Sequence, residues 1–444
     1  MSTTLAAGTS LDFTLAQQLT VIALCALTAY ISHMALAVFN DGVRPFLLDF
    51  IQGRTTRSAT TAVSFGLSAG FIFGLGAPMA LSTGVLNPWL VFLPTDILGM
   101  LAPKKWLAPI LGGAWGAVVV FGLNGANNVA HDLPVDFITA MQQMSTPILF
   151  LFTLFPVLAI TKQFGRKWGA IAGVLELALV VMTMKVWPKM FAGALAMAVG
   201  VLMLIALAVA KDMKQRRADR AAGVTEVVPE DDPMASLFSA SAARLRTYLP
   251  LFMVLGAGVC VLAQMHIFGG GEATSFLIAK GQYAEAAQVD FYRVFGFIPL
   301  IATTALASGA YGIAGFTLVY PIGYLMPNPF LAAVVGAAVF AAEVLALSYI
   351  GKVLGKLPSV RDSSEHLRSA IGDTLQLAIL FGSLMAANAM GGGLGILVVG
   401  GLYLMNEAMG RPVVKMAAAP AAVIVGGILL NVLYWLDLFT PIKG

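Results

Sequence analysis

Charge is what this sequence has least of. Of its 444 residues only 11% are charged, while 59% are hydrophobic. A soluble chain carries roughly 25% charged residues, so a soluble globule is excluded and a polytopic membrane protein is implied. The net charge of +4 is small, and the basic residues sit in short loops without interleaved aromatics. That excludes a nucleic-acid surface and makes the basic residues reporters of topology. Cysteine is nearly absent. Cys25 and Cys260 lie far apart inside apolar runs, so neither a disulfide framework nor a CxxC metal site is available. His33, His266 and His366 are dispersed and no HExxH occurs, so neither a metal nor a cofactor is expected. Met1 to Asp12 holds no basic residue and no clear cleavage site, which argues for a retained first anchor over a removable signal peptide.

What is present is apolar length. A window of about 20 residues marks crossings near 14–38, 58–83, 106–123, 146–161, 168–184 and 190–210, with a shorter return at 86–102. After a hydrophilic linker at 211–247 come 248–268, a polar loop 269–290, a Pro- and Gly-broken run 294–326, 329–350, a basic loop 351–370, and runs at 371–389, 392–407 and 416–437. The fold class is therefore all-α, with ten to twelve full or partial segments. The domain division is 1–210, linker 211–247 and 248–444. The basic clusters at Lys211 to Arg220 and Lys352 to Arg368 assign those loops to the cytoplasm.

Within this apolar background two motifs place a carboxylate two positions after a proline: Leu93-Pro94-Thr95-Asp96 and Leu133-Pro134-Val135-Asp136. Proline lacks the N–H that a first helical turn does not need, and the positive end of the helix dipole favours an anion. Each motif predicts a helix restarting at depth, the arrangement from which many carriers build a solute site. Asn124, Asn127, Asn128 and His131 crowd an expected irregular stretch ahead of the second motif. They offer several donors and acceptors to a sugar- or carboxylate-like solute, or form an exposed loop. Thr303, Thr304 and Ser308 occupy the broken run with Gly309 and Gly312, where freed backbone groups need partners. Arg293, just ahead of that run, suits either an anion contact or an interfacial anchor.

Glu176 and Glu343 each stand alone within a hydrophobic span. Such a residue is a proton or cation coupling group or a hydrogen-bonded structural one. Asn40, Asp41 and Arg44 read as a turn stitching a helix end, and Asn388 and Asn431 as interhelical hydrogen-bonding residues. Gly66-Leu67-Ser68-Ala69-Gly70 fits a nucleophile pattern but lies within a helical span, so it carries no such chemistry. Gly391 to Gly393 predict a helix break. No nucleophile-base pair is visible, and an enzyme is not expected.

A near-central linker invites a search for duplication. Ala80-Leu81-Ser82-Thr83-Gly84 matches Ala305-Leu306-Ala307-Ser308-Gly309, and a proline follows each, Pro94 or Pro321. If the match is a true repeat, the regions 80–100 and 305–327 are paired broken elements with the solute between them.

Longer strings carry a family resemblance. Phe39-Asn40-Asp41-Gly42-Val43-Arg44-Pro45, Leu93 to Gly99, Gly296 to Ala307, Asn406-Glu407-Ala408-Met409-Gly410-Arg411-Pro412 and Gly427 to Leu436 resemble the YhfT family of bacterial inner-membrane proteins. The resemblance spans about residue 18 to the C-terminus and is weakest at 211–247 and 269–290. It implies a multi-pass protein of the bacterial inner membrane and a transporter without an assigned substrate. Length and linker placement are also similar to ascorbate- and galactitol-type phosphotransferase membrane subunits, an architectural analogy only.

The combined expectation is a carrier of a small polar or anionic solute, coupled to H⁺ or Na⁺. The alternative is a phosphotransferase-like membrane subunit working with a separate soluble partner protein. The expected surroundings are lipid, solute and, for the oligomer, a homodimer.

Overall fold

The computed structural model describes residues 11–40, 43–51, 53–72, 76–188, 192–222, 233–291, 294, 311–312, 318–354, 357–413 and 415–441. Among these, seven helices are long and apolar enough to cross a bilayer. The bent pair Ala240–Thr247 and Leu249–Gln264, meeting at 64°, and the shorter helices Pro88–Leu101 and Phe150–Phe164 bring the total to ten segments. The protein is an all-α, multi-pass membrane protein, as the composition implies.

The first repeat-like unit runs α1 (Leu15–His33), α2 (Arg44–Ile51), α3 (Arg57–Phe71), α4 (Ala77–Thr83), α5 (Pro88–Val91), α6 (Leu93–Leu101) and α7 (Leu107–Asp132). A bundle follows: α8 (Phe137–Met141), α9 (Ser145–Phe152), α10 (Phe155–Phe164), α11 (Arg166–Val186) and α12 (Ala192–Ala221). Next come α13 (Pro233–Thr247), α14 (Leu249–Gln264), α15 (Glu272–Ala279), α16 (283–291), α17 (Val319–Leu325) and α18 (Pro329–Leu354). The chain closes with α19 (Pro358–Ala408) and α20 (Lys415–Trp435).

Local chemistry sets the helix ends. Thr14 and Gln17 form a capping box at the start of α1, satisfying two orphan N–H groups. Asn87 caps α5 by accepting from Leu90 N at 3.0 Å. Pro94 stands in the first turn of α6 with Asp96, as the motif predicts. Helix α19 is interrupted at Gly391 and Gly392, the latter at φ 54°, ψ −132°, a conformation open mainly to glycine. The expected break at 391–393 is therefore present.

Two stretches differ from expectation. Residues 124–132 continue α7 as helix and form no irregular loop, because nothing between Leu107 and Asp132 except Pro109 in the first turn breaks a helix before Leu133-Pro134. The region 351–370 is largely helical too, at the end of α18 and the start of α19. Its polar residues do not end the helix; Ser359 and Ser363 are buried within it.

Packing divides the molecule differently from the sequence. One apolar core joins α1, α5, α6 and α7 to α14, α17 and α18. Two further cores join α8, α10, α11 and α12 to α19 and α20. The last two helices thus pack on the bundle before the linker, so the chain forms two interleaved bodies.

Within the first body the contacts recur. Gly99 on α6 lies against Ala29 O, Ser32 and His33 N of α1, and Gly323 on α17 against Cys260 O, Ala263 and Gln264 N of α14. Gly112 on α7 meets Cys25 O and Ala29 Cβ; Gly336 on α18 meets Gly256 O and Cys260 Cβ. The residue spacing within each triad is identical. Met34 and Met265 cap α1 and α14, and each is followed by a non-glycine residue at positive φ, Ala35 at 52° and His266 at 57°. These are two copies of one supersecondary unit. Small residues at the crossings let backbones approach closely, which is how helices associate in lipid.

Candidate functional site

The two copies meet where their chains leave helical structure. After α1, Ala37 and Val38 form a strand pairing in parallel with Tyr311 and Gly312, just ahead of α17. After α14, Phe268 bridges in parallel to Leu86, just ahead of α5. Leu86 N donates to Ile267 O at 2.7 Å, and Gly269 N to Leu86 O at 2.8 Å. Each extended stretch following a long helix in one copy thus pairs with the stretch preceding a short helix in the other. Continuing the match of 80–84 with 305–309 sets Leu86 opposite Tyr311, in agreement with this exchange; 305–309 themselves lie outside the described residues.

The crossing is buried: Ala37, Val38, Leu86 and Phe268 are wholly enclosed. Asn40 Nδ2 donates to Ser68 Oγ at 3.2 Å, eleven residues into α3 from Arg57, so the stretch after α1 runs alongside α3. Buried backbone needs internal partners, and the strand pairs supply them. Rings fill the space between: Phe39 to Phe92 at 5.0 Å, Phe92 to Phe268 at 5.3 Å and Phe268 to Tyr320 at 5.8 Å between centroids. All four are buried.

A carboxylate anchors each side. Asp96, fully buried, accepts from Ser32 Oγ at 2.6 Å, Phe39 N at 2.7 Å and Asn40 N at 3.0 Å. In the second copy Asp290, on α16, accepts from Thr274 Oγ at 2.8 Å and from the Tyr324 hydroxyl at 2.6 Å. That hydroxyl in turn accepts from Gly270 N at 2.7 Å. By the repeat register Gly270 corresponds to Phe39. One copy thus holds its turn by a carboxylate directly, and the other through a phenol. A Cβ at Gly270 would collide with Asp290, so glycine is required there. The Asp290 network was missed in the sequence, where only the neighbouring Arg293 drew notice; Arg293 lies outside the described residues.

Asp136 is placed elsewhere. It caps α8, accepting from Thr139 N at 2.9 Å and Thr139 Oγ at 2.6 Å. The adjoining Val135 N donates to Asn431 of α20 at 2.9 Å, so Asn431 ties α20 to the turn ahead of α8 and not helix to helix. Asp96 and Asp136 both sit at helix starts, but on different packing surfaces. Asn124 is on α7 and donates to Asp12 at 3.2 Å in an exposed position. Asn127, Asn128 and His131 are on the last turns of the same helix. Thr303, Thr304 and Ser308 lie outside the described residues.

The two intramembrane glutamates have distinct settings. Glu343 of α18 accepts from Leu318 N at 3.0 Å, holding the residue that caps α17. Glu176 of α11 is 1% exposed, and neither oxygen has a hydrogen-bond partner among the described residues. It lies over Gly200 of α12 beside the Pro156 ring of α10. No group of three metal-ligating side chains occurs among the described residues.

Comparison with known proteins gives a family and a relative. The YhfT family, described as a protein of unknown function, matches residues 17–439. An "Uncharacterized protein YhfT" of Escherichia coli (strain K12) is 41% identical over 440 residues, covering 96% of this chain and 99% of the relative. No solved structure matches. Matched over nearly its whole length, the chain belongs to the YhfT family.

Proposed function

We propose that this protein is a non-enzymatic carrier of the bacterial inner membrane. It moves a small polar, anionic solute, coupled to H⁺ or Na⁺ through one of its intramembrane glutamates. The observation that carries this reading is the doubled crossing at Leu86–Phe268 and Ala37–Tyr311. Short helices begin beside it at Pro88 and Val319, the broken-helix arrangement from which carriers build solute sites.

Interleaved bodies suit the cycle. The duplicated body carries the crossing, the bundle of α8 to α12 with α19 and α20 packs beside it, and movement of one against the other alternates access. Asp96 and Asp290 serve this scheme as anchors that keep the turns at Phe39 and Gly270 in place.

A melting-point screen of the purified protein against pooled metabolites, followed by uptake into proteoliposomes, tests the reading, since a bound solute stabilises by mass action. A solute that raises the melting point and accumulates inside vesicles is expected. The reading is lost if stabilising compounds are found and none of them crosses.

A further inference from the structure

We infer that Glu176 is the group that carries the coupling ion, and that this ion is a proton. The inference rests on the carrier reading and adds to it the identity of the ion and its seat, in the bundle and away from the crossing.

The site is built around an acid. Gly200 leaves room where a Cβ would run into Glu176 Oε1, and the same space is bounded by ring carbons of Pro156. Proline also has no N–H to donate. Both carboxyl oxygens stay without a hydrogen-bond partner among the described residues while the residue is 1% exposed. An ionised carboxylate in such a place lacks the compensation that buried charges require. The neutral acid is the form this packing accommodates. A sodium ion stripped of its water needs several oxygen ligands, whereas a proton needs one, and neither carboxyl oxygen has a hydrogen-bond partner among the described residues.

The same face of α11 continues past Glu176 to Thr183, also buried with its hydroxyl unpartnered among the described residues. Two helical turns, about 10 Å, separate them. The charged groups of the packed elements stand toward helix ends. Lys162 of α10 is paired with Asp373 of α19, Asp212 of α12 accepts from Ser359 N at 3.0 Å, and Arg166, Lys167, Lys185 and Lys211 lie near the ends of α11 and the polar end of α12. As the bundle shifts against the duplicated body and access to Glu176 alternates, the carboxylate takes a proton from water on one side and closes over it as the neutral acid. It then releases that proton to water when access opens on the other side.

Infrared difference spectroscopy of the purified full chain in lipid, through a pH jump and without solute, tests this. The wild type should show a protonated-carboxyl band that titrates, and Glu176→Gln should lose it while keeping the wild-type melting point. Gly200→Ala, which crowds Oε1, should shift the band. Melting in NaCl and in KCl should coincide. An unchanged band in Glu176→Gln, or sodium-specific stabilisation that this variant abolishes, would overturn the inference. Should Glu176→Gln not fold, an unshifted band in Gly200→Ala overturns it instead. Failure of the carrier reading shows separately, as absent flux of every pooled metabolite with the band intact.

Discussion

Asp96 Oδ2 accepts from the backbone N–H of Phe39 at 2.7 Å, tying the short helix α6 to the extended stretch that follows α1. Four groups, the carboxylate and its three donors, depend on this contact. Asp96→Ala leaves the donors of Ser32, Phe39 and Asn40 buried without an acceptor, at a cost of about 3 kcal/mol. Thermal unfolding in detergent should show that loss. Asp96→Asn keeps one carbonyl oxygen and should lose less; equal melting points for wild type and Asp96→Ala would remove the anchoring role.

Gly112 and Gly336 hold equivalent positions in the two copies, so Gly112→Val and Gly336→Val should do similar damage. Each forces a side chain into a backbone of the neighbouring helix, costing about 1–3 kcal/mol. Gly113, with nothing nearer than 3.7 Å, is the control and should tolerate alanine. Monodispersity on gel filtration together with melting point measures all three.

Glu343 is held by geometry more than by charge. Because an amide oxygen can still accept from Leu318 N, Glu343→Gln should fold nearly as well as the wild type. Glu343→Leu should lose about 1 kcal/mol, the usual worth of a helix cap. Uptake measured against pH separates this from coupling: the Gln variant should keep the wild-type profile, and a flat profile would move the coupling role to Glu343.

At Gly392 the backbone adopts φ 54° inside α19. Gly392→Ala should therefore cost about 1–3 kcal/mol or straighten the helix. Gly393, where an added Cβ meets nothing within 4 Å, should accept alanine with little change in melting point.

Much of this was legible beforehand because lipid imposes a simple rule: long apolar runs become helices, and prolines and glycines mark where they stop. Pro94 with Asp96 and the glycines at 391–393 were readable on that basis. The matched strings at 80–84 and 305–309 raised duplication as an open alternative from five small or apolar residues, and the second string lies outside the described residues. What the sequence did not display is pairing at a distance. The backbone donors to Asp96 lie more than fifty positions away, and nothing local announces that Phe39 and Asn40 will meet it. Asn124 to His131 looked irregular because asparagine favours turns, yet without a breaker the helix simply continued. The partner of Asp290 is a tyrosine on another helix, and no spacing rule links an acid to a phenol.

The exchange of strands between the copies also bears on biogenesis. Ala37 finds its partner only at Tyr311, so at ordinary elongation rates the first unit waits on the order of tens of seconds before its backbone can be completed. During that interval the nascent chain holds an unfinished edge, its polar backbone groups unpaired until synthesis reaches the second copy.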